Sequence, residues 1–342
     1  MSDDIHIRRE GKAGRITLTR PKALNALSYD MAMAIDRALI DWASDDAVAL
    51  VLLDAEGEKA FCAGGDVRGL YDRGIAGDLD YARTFWRDEY RMNARMAEYG
   101  KPIVAFMQGF VMGGGVGIGC HASHRVVGET TRMAMPECGI GLIPDVGGSL
   151  LLARAPGRLG EYLALTTDRM DAPDAIRAGF ADHYLPEGGW DALKSALVET
   201  GDLSRITAAT ETAPAARLAA EQNRIDRIFA TPVLPAIIAA LEAEDGDFAD
   251  ATLAAIRRNS PISMAATLLM LAELRRSAAG IREALQLEYR FTARSMTGGD
   301  FLEGIRAQLV DRDRTPKWKH GLGALEAEAS AMIAPLEQEL TF

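Results

Sequence analysis

Apolar and polar positions in the first half of the chain predict β-strands separated by helices. Residues 15–20 alternate polar and apolar side chains, which is the period of a half-buried strand. Residues 48–53 are continuously apolar, as expected for a parallel strand that is covered on both faces. Between them, Ile35 and Trp42 lie two helical turns apart, and the preceding Ser28 can cap a helix. This β-α-β order predicts an α/β fold.

The same alternation continues to about residue 190, after which strand patterns become rare. We expect helices, strands and one glycine turn in the order helix 80–99, strand 102–107, glycine turn with a short helix, strands 125–128 and 132–135, helix 171–178, and strand 181–185. Helical patterns dominate from residue 260, in 264–274, 281–295 and 300–309. The last of these begins with Asp300 and Glu303, whose spacing is close to that of a capping box. The sequence therefore predicts a core over 1–190 and a mainly helical region over 191–342.

Composition and charge narrow the class of protein. The 342 residues carry 38 Lys and Arg against 49 Asp and Glu, a net charge of −11, and contain no basic run, so no nucleic-acid partner is expected. The first residues, from Met1 to His6, lack the basic and apolar segments of a secretory leader. Three cysteines, Cys62, Cys120 and Cys138, have no disulfide or zinc spacing, which predicts a cytoplasmic protein.

One uncharged segment is long enough to suggest a membrane span. Residues 102–120 carry no charge, but six of them are glycine, which indicates a strand, a turn and a helix. We therefore expect no membrane partner.

Two glycine-rich segments could expose backbone N–H donors. Residues 61–66, Phe-Cys-Ala-Gly-Gly-Asp, and residues 113–117, Gly-Gly-Gly-Val-Gly, each follow or join predicted strands. Such turns can hold an anion or a polarised carbonyl oxygen, although each could equally be an ordinary tight turn. The second segment also has part of a dinucleotide-binding pattern, but residues 117–124 are too few for the crossover helix of that fold.

Two carboxylates eight residues apart are candidates for acid–base or nucleophilic work. Glu137 and Asp145 lie within residues 135–148, where most neighbours are apolar. Burial in such surroundings raises a carboxyl pKa, although either residue could instead cap a turn or a helix. His121 and His124 flank no evident third ligand, so we predict no metal site.

The order of these pieces resembles the crotonase (enoyl-CoA hydratase/isomerase) superfamily over the first 190 residues. The motifs that carry this resemblance are Asn25-Ala-Leu27, Lys59-Ala-Phe-Cys-Ala-Gly-Gly-Asp66, Lys101-Pro-Ile-Val-Ala, Gly113-Gly-Gly115, Met135-Pro-Glu137 and Gly147-Gly148. The resemblance implies a crotonase fold, in which stacked β-β-α units form two roughly perpendicular sheets, followed by a helical C-terminal region that covers the active site or joins subunits into a homo-oligomer.

The resemblance also implies the roles of particular residues. The N–H groups of Ala63 and Gly114 would form an oxyanion hole for the thioester oxygen of an acyl-CoA substrate, and Glu137 and Asp145 would be the catalytic acids. Further substrate-binding positions would be Gly64, Gly65, Asp66, Gly113 and Gly117. Lys22, Lys59 and Arg68 flank the glycine motifs and are candidates for binding the CoA phosphates.

Further motifs are similar to a subgroup of the superfamily that hydrolyses 3-hydroxyacyl-CoA thioesters. Two of them lie in the first half of the chain, at residues 110–117 and 136–148, and four in the second half, at 260–263, 288–290, 300–307 and 316–318. In this reading Asp145 binds the substrate 3-hydroxyl or positions water, and no cofactor or metal is needed, since coenzyme A enters with the substrate. The two-carboxylate hydratases of the superfamily have a Glu where this chain has Gly117, which favours the hydrolase. A hydratase or isomerase, and an interaction protein on an inactive core, remain the alternatives.

Overall fold

The computed structural model describes residues 3–342 and contains two β-sheets. The strands are β1 (Ile5–Glu10), β2 (Ala13–Leu18), β3 (Leu50–Ala55), β4 (Ala60–Cys62), β5 (Ile103–Met107), β6 (Phe110–Met112), β7 (His124–Val127), β8 (Arg132–Ala134) and β9 (His183–Tyr184). The larger sheet has the order β1-β2-β3-β5-β7-β9, and the smaller has the order β4-β6-β8. Strands β1 and β2 are antiparallel, and the other pairs are parallel.

A strand of the larger sheet is followed at once by a short strand of the smaller sheet at three places. These pairs are β3 with β4, β5 with β6, and β7 with β8, and a helix follows each pair. The repeated β-β-α unit is the one that the resemblance implied, and the predicted α/β fold with two sheets is confirmed.

The helices lie between and after these units. They are α1 (Tyr29–Ala43), α2 (Val67–Ile75), α3 (Leu79–Ala97), α4 (Gly114–Gly119), α5 (Gly148–Arg154), α6 (Leu159–Thr166), α7 (Ala172–Arg177), α8 (Trp190–Thr200), α9 (Ser204–Ala209), α10 (Arg217–Ile228), α11 (Leu234–Glu242), α12 (Asp247–Arg258), α13 (Pro261–Ser277), α14 (Ile281–Ser295), α15 (Phe301–Ile305), a π-helical turn (Arg306–Val310) and α16 (Glu326–Met332). None of the helices described within 3–342 is both long and apolar enough to cross a membrane.

The apolar runs form strands because both faces of the larger sheet are covered. All five residues of β5 are buried. On one face, Phe106 packs against Trp190 of α8 with ring centroids 5.4 Å apart. Ser28 caps α1 as predicted, since its side chain accepts a hydrogen bond from the N–H of Met31.

Several short elements differ from the sequence prediction. Strands β1, β4 and β6 were not predicted; β4 and β6 have three residues each, too few to show a period of two. The expected capping box at the start of α15 does not form. The Asp300 side chain instead accepts hydrogen bonds from the Ser260 hydroxyl and the Lys319 N–H, and Glu303 pairs with Arg306.

The chain forms two compact units that interleave along the sequence, so they do not follow the predicted boundary near residue 190. The first, which we call the sheet unit, comprises Met1–Asp66, Arg91–Ala134 and Arg169–Ala219 and contains both sheets. The second, the helical unit, comprises Val67–Tyr90, Met135–Asp168 and Ala220–Phe342. Earlier segments join the C-terminal helices because they pack on them: a Cβ on Gly74 of α2 would lie 2.9 Å from the Leu302 side chain of α15.

Candidate active site

In the sheet unit, two glycine turns lie at the same edge of the smaller sheet. The turn at residues 63–66 follows β4, and the turn at 113–114 follows β6. Because β4 and β6 are parallel neighbours, their carboxyl ends lie side by side. The approach is close enough to require glycine, since a Cβ on Gly115 would lie 2.1 Å from the carbonyl oxygen of Cys62.

The first turn presents Gly65, rather than Ala63, as the free donor. The N–H of Ala63 donates to the Leu24 carbonyl at 3.0 Å. Leu27 then pairs with Gly65: its N–H donates to the Gly64 carbonyl at 2.8 Å, and its carbonyl accepts from the Asp66 N–H at 2.9 Å. This pairing turns the N–H of Gly65 to the opposite side, where it has no acceptor among residues 3–342.

The predicted donor at Ala63 is therefore corrected to Gly65. Successive N–H groups of an extended segment point in alternate directions, so a motif match places the turn but does not show which N–H is free. Gly64 has a φ of +116°, a conformation that favours glycine, and so shapes the turn.

The second turn leaves the N–H of Gly114 free, as predicted. Gly114 is the first residue of α4, and the first N–H groups of a helix have no intrahelical acceptor. The neighbouring predicted positions are structural: the Gly113 N–H approaches the Ala134 carbonyl at 3.4 Å, and the Gly117 N–H donates to the Gly113 carbonyl at 3.1 Å. Gly114 therefore carries the free N–H of this turn, and every residue of α4 is buried and lacks an ionisable side chain.

The predicted CoA-binding residues lie on the surface. Lys22 and Lys59 are exposed and line one pocket of about 530 Å³ in the sheet unit, together with Glu56 and Glu58. Asp66, predicted to bind substrate, lies 3.4 Å from a guanidinium nitrogen of Arg20.

In the helical unit, Arg68 of α2 forms an exposed ion pair with Asp72 at 2.9 Å. Its guanidinium is thus already paired with an acid, and we expect CoA phosphate to compete for it.

The helical unit contains a cluster of four buried carboxylates. Glu137 and Asp145 are each 5% exposed, Glu89 is 3% exposed and Glu288 is fully buried. Sequence reasoning singled out Glu137 and Asp145, and it included Glu288 only as part of a motif. Glu89 carried no sequence signal, since its heptad surroundings in α3 predict only an amphipathic helix.

Tyr90 orients the Asp145 carboxylate. The buried phenol donates a hydrogen bond of 2.7 Å to Oδ2 of Asp145 and lies 3.5 Å from the Thr292 hydroxyl. Tyr90 was also missed, because the residues that form this contact are 55 positions apart in the chain.

Glu288 holds the turn that carries Asp145. Its carboxylate accepts hydrogen bonds from the N–H of Gly147, at 2.8 Å, and from the N–H and hydroxyl of Ser149. Val146, between Asp145 and Gly147, has a φ of +52°, which is unfavourable for a β-branched residue. The bonds made by Glu288 therefore stabilise a strained turn. They also satisfy N–H groups at the N-terminus of α5, which is the helix-capping role that the sequence had also allowed for Asp145.

Burial and mutual repulsion raise the pKa values of these carboxyls. Burial raises the pKa of Asp145 to about 7, although the Tyr90 hydrogen bond acts in the opposite direction. Burial, and then the charge of Asp145, raise the pKa of Glu137 well above its ordinary value. Among residues 3–342, no Lys or Arg contributes to the pKa shifts of Glu89, Glu137 and Asp145. The cluster therefore retains protons near neutral pH.

One carboxyl oxygen of Glu137 has no partner. Its Oε2 is inaccessible to solvent and has no hydrogen-bond partner within the described residues, whereas the carboxylate also accepts a hydrogen bond from its own backbone N–H. Buried polar atoms without a partner are rare in folded proteins. This oxygen is available to act as a nucleophile or as a base.

The cysteines and histidines form neither a disulfide nor a metal site among the described residues. All three cysteines are buried and unpaired with each other, and burial raises the pKa of Cys120 and Cys138 to about 12. Residues 3–342 contain no group of three metal-ligating side chains. His124 stacks on His183 with ring centroids 6.1 Å apart.

Comparisons with known proteins agree with one another on family and fold. A family model described as enoyl-CoA hydratase/isomerase matches residues 13–333. A protein of Gallus gallus named 3-hydroxyisobutyryl-CoA hydrolase, mitochondrial, is 38% identical over 327 residues, which cover 92% of this chain and 84% of that protein.

Two solved structures superimpose on nearly the whole chain, each with a TM-score of 0.95. A structure titled as an enoyl-CoA hydratase from Rhodobacter sphaeroides is 55% identical and covers 99% of this chain and 100% of its own. A structure titled as a carnitinyl-CoA dehydratase from Mycobacterium thermoresistibile is 43% identical and covers 100% of this chain and 99% of its own.

Proposed function

Since the chain belongs to the enoyl-CoA hydratase/isomerase family, we propose that it hydrolyses a 3-hydroxyacyl-CoA thioester, with 3-hydroxyisobutyryl-CoA as the leading substrate. The products are 3-hydroxyisobutyrate and free CoA, which places the reaction in valine catabolism. The relative from Gallus gallus carries the name of this hydrolase, whereas the two solved structures carry the names of a hydratase and a dehydratase. The names of these relatives differ, so the residues of the candidate site are needed to distinguish thioester hydrolysis from hydration.

The composition of α4 is the observation that supports hydrolysis. Adding water across a double bond needs one group to activate the water and another to protonate carbon. Gly117 stands where hydratases of this type have a second glutamate, and α4 contains no ionisable side chain at all. Glu137 without that second acid is better suited to attack on a carbonyl carbon.

The backbone donors stabilise the charge that forms during this attack. We assign the thioester oxygen to the N–H groups of Gly65 and Gly114, both free to donate. Removing one donor of an oxyanion hole typically raises the barrier by about 2.7–4 kcal/mol. A preorganised pair of N–H groups costs no rearrangement when the tetrahedral intermediate forms.

Glu137 supplies the attacking group by one of two balanced routes. Its carboxylate oxygen bonds to the carbonyl carbon, the C–S bond breaks, and CoA leaves as a thiolate that takes a proton from water; hydroxide then cleaves the mixed anhydride and restores the Glu137 carboxylate. Alternatively, Glu137 removes a proton from water, the resulting hydroxide bonds to the same carbon, the C–S bond breaks, and the CoA thiolate takes the proton from Glu137. Both routes require ionised Glu137, so its raised pKa predicts activity that increases with pH.

Two substrates separate the hydrolase from the hydratase. Purified protein is mixed with 3-hydroxyisobutyryl-CoA or with crotonyl-CoA, and free thiol and double-bond absorbance are both followed. We expect rapid thiol release from the first substrate and slow loss of absorbance from the second. Rapid hydration of crotonyl-CoA with no thiol released from 3-hydroxyisobutyryl-CoA would establish the hydratase instead.

A further inference from the structure

We propose that Ser263 is a positioning residue for the attacking water: its hydroxyl and the Glu137 carboxylate hold that water between them. The inference rests on the proposed function, because it names the group that orients the water of the same hydrolysis. It assigns a role to a buried hydroxyl that neither the packing of the helices nor the proposed reaction has so far required.

The Ser263 side chain is buried in the helical unit, yet its hydroxyl has no hydrogen-bond partner. The residue is 0% exposed, and its Oγ bonds to no atom among residues 3–342. Two other buried hydroxyls of this unit donate to a carbonyl of their own helix: Thr267 to Ser263 at 2.8 Å, and Ser295 to Thr292 at 2.8 Å. Because unpaired buried polar atoms are rare, the Ser263 hydroxyl is available to a group that the protein does not supply.

The usual local partners of Ser263 are not available to it. Ser263 is the third residue of α13, which Ser260 caps. A polar side chain at this position can accept the N–H of the capping residue. Here the Ser260 N–H donates instead to the Cys138 carbonyl at 2.9 Å. The carbonyl four residues earlier belongs to Asn259, which is extended and lies outside the helix.

The face of α13 that carries Ser263 packs on the turn Glu137–Ile140. The N–H of Ser260 binds the Cys138 carbonyl, and the Thr267 hydroxyl lies 3.7 Å from Sγ of Cys138. Ser263 lies about one helical turn from Ser260 and from Thr267, and therefore on the same face. Helical side chains lean towards the N-terminus of their helix, which directs the Ser263 hydroxyl towards this turn.

A water molecule is the group that fits between Ser263 and Glu137. Oε2 of Glu137 is also inaccessible to solvent and unpaired, so two unpartnered polar atoms belong to the same contact. Polar groups separated by more than about 3.5 Å are often bridged by water, through two hydrogen bonds of about 2.8 Å each. The carboxylate accepts a proton of the water, and the serine hydroxyl donates to one of its lone pairs.

This arrangement orients the water for attack. One proton of the water points to Glu137 and one lone pair accepts from Ser263, so the second lone pair is left for the carbonyl carbon. The proton passes to Glu137, the hydroxide bonds to that carbon, the C–S bond breaks, and the CoA thiolate takes the proton from Glu137. In the anhydride route, the same hydroxyl holds the hydroxide that cleaves the mixed anhydride.

A serine-to-alanine substitution tests this role, with a second buried serine as the matched control. Ser263→Ala removes the unpaired hydroxyl. Ser295→Ala removes a hydroxyl that is equally buried in the helical unit but already bonded to the Thr292 carbonyl. Ser263→Thr keeps the hydroxyl and tests rescue, and Ser263→Cys replaces it if the threonine variant does not fold. For each variant, kcat and KM are measured with 3-hydroxyisobutyryl-CoA, and the midpoint of chemical denaturation is recorded.

We expect Ser263→Ala to lower kcat about tenfold or more and to change KM less than about twofold, since the water loses a hydrogen bond and the substrate does not. Its denaturation midpoint should be unchanged or higher, because no hydrogen bond of the folded protein is lost. Ser295→Ala should show the reverse: nearly normal kcat and a lower midpoint. Ser263→Thr should restore most of the lost kcat.

Two kinetic outcomes would overturn the proposal. The first is a normal kcat in folded Ser263→Ala. The second is an equal fall of kcat in Ser263→Ala and Ser295→Ala, because the loss would then follow from removing any buried serine of this unit.

A crystal structure keeps the test independent of turnover. We expect wild-type protein to show one water bonded to both Oγ of Ser263 and Oε2 of Glu137, and Ser263→Ala to lack it. The absence of a water at the Ser263 hydroxyl would contradict the role of Ser263 whatever the activity. Wild-type protein that shows this water but releases no CoA would contradict the proposed hydrolase instead.

Discussion

The hydroxyl of Tyr90 donates a 2.7 Å hydrogen bond to Oδ2 of Asp145, although the two residues are 55 positions apart in the chain. This bond fixes the direction of one carboxylate oxygen of Asp145. It also lowers the pKa of Asp145, in opposition to the larger effect of burial.

Tyr90→Phe removes this bond and keeps the ring, which packs edge-to-face on Tyr289 at 6.3 Å. We expect kcat/KM for 3-hydroxyisobutyryl-CoA to fall about tenfold or more, since hydrogen bonds to charged groups contribute about 1.5–3 kcal/mol. The pKa of Asp145 should rise, so the acid limb of the pH–rate profile moves to higher pH. Tyr289→Phe is the control, because its hydroxyl lies 3.5 Å from the Arg83 carbonyl and not at Asp145. Similar effects in both variants would contradict the role of Tyr90.

Glu137→Gln should abolish CoA release and leave the protein folded. The amide has the shape of the carboxyl but is neither a nucleophile nor a base. Because Oε2 of Glu137 has no partner to lose, we expect the free energy of unfolding to be unchanged or higher. Thiol assays and chemical denaturation measure the two effects. Near-normal turnover in the folded variant would exclude Glu137 as the attacking group.

Gly65→Pro tests the corrected oxyanion donor, since proline has no N–H. We expect kcat to fall about 10²–10³-fold, as when one oxyanion-hole donor is removed elsewhere. Gly65→Ala is the control: it keeps the N–H, and a Cβ there meets no atom within 4 Å. If both variants lose activity equally, bulk at this position matters and the N–H does not.

The stability of the protein should fall as pH rises through the range in which Asp145 titrates. Its pKa is about 7 in the folded protein against an ordinary value of 3.8. The folded state therefore holds a proton that the unfolded state releases above pH 3.8, and this contribution to stability is lost as pH rises through about 7. Asp145→Asn cannot titrate, so we expect a smaller loss of unfolding free energy between acidic and neutral pH.

Denaturant unfolding at several pH values measures this slope. Asp191→Asn is the control, since that side chain is fully exposed and should leave the slope unchanged. Equal slopes for the wild type and Asp145→Asn would show that Asp145 does not hold the proton.

Local patterns were sufficient for most strands of the larger sheet and for the positions of the two glycine turns, whereas the β-β-α repeat followed from the family resemblance, because β4 and β6 have only three residues each. Strand β5 and helix α14 coincide with the predicted segments to within a residue, because their apolar periods extend over five or more positions. Glu137 and Asp145 could be selected for the same reason: a carboxylate in an apolar segment is conspicuous in the sequence itself.

The sequence alone thus determined the longer strands, the family motifs and two of the acids, since these depend on residues close together in the chain. The tertiary structure decided which N–H is free at Gly65, which depends on the pairing with Leu27. It also brought Tyr90 to Asp145, and Glu288 to a turn 141 positions away. Contacts between residues so distant depend on how the helices pack, and the period of an apolar pattern contains no information about which buried polar groups will meet.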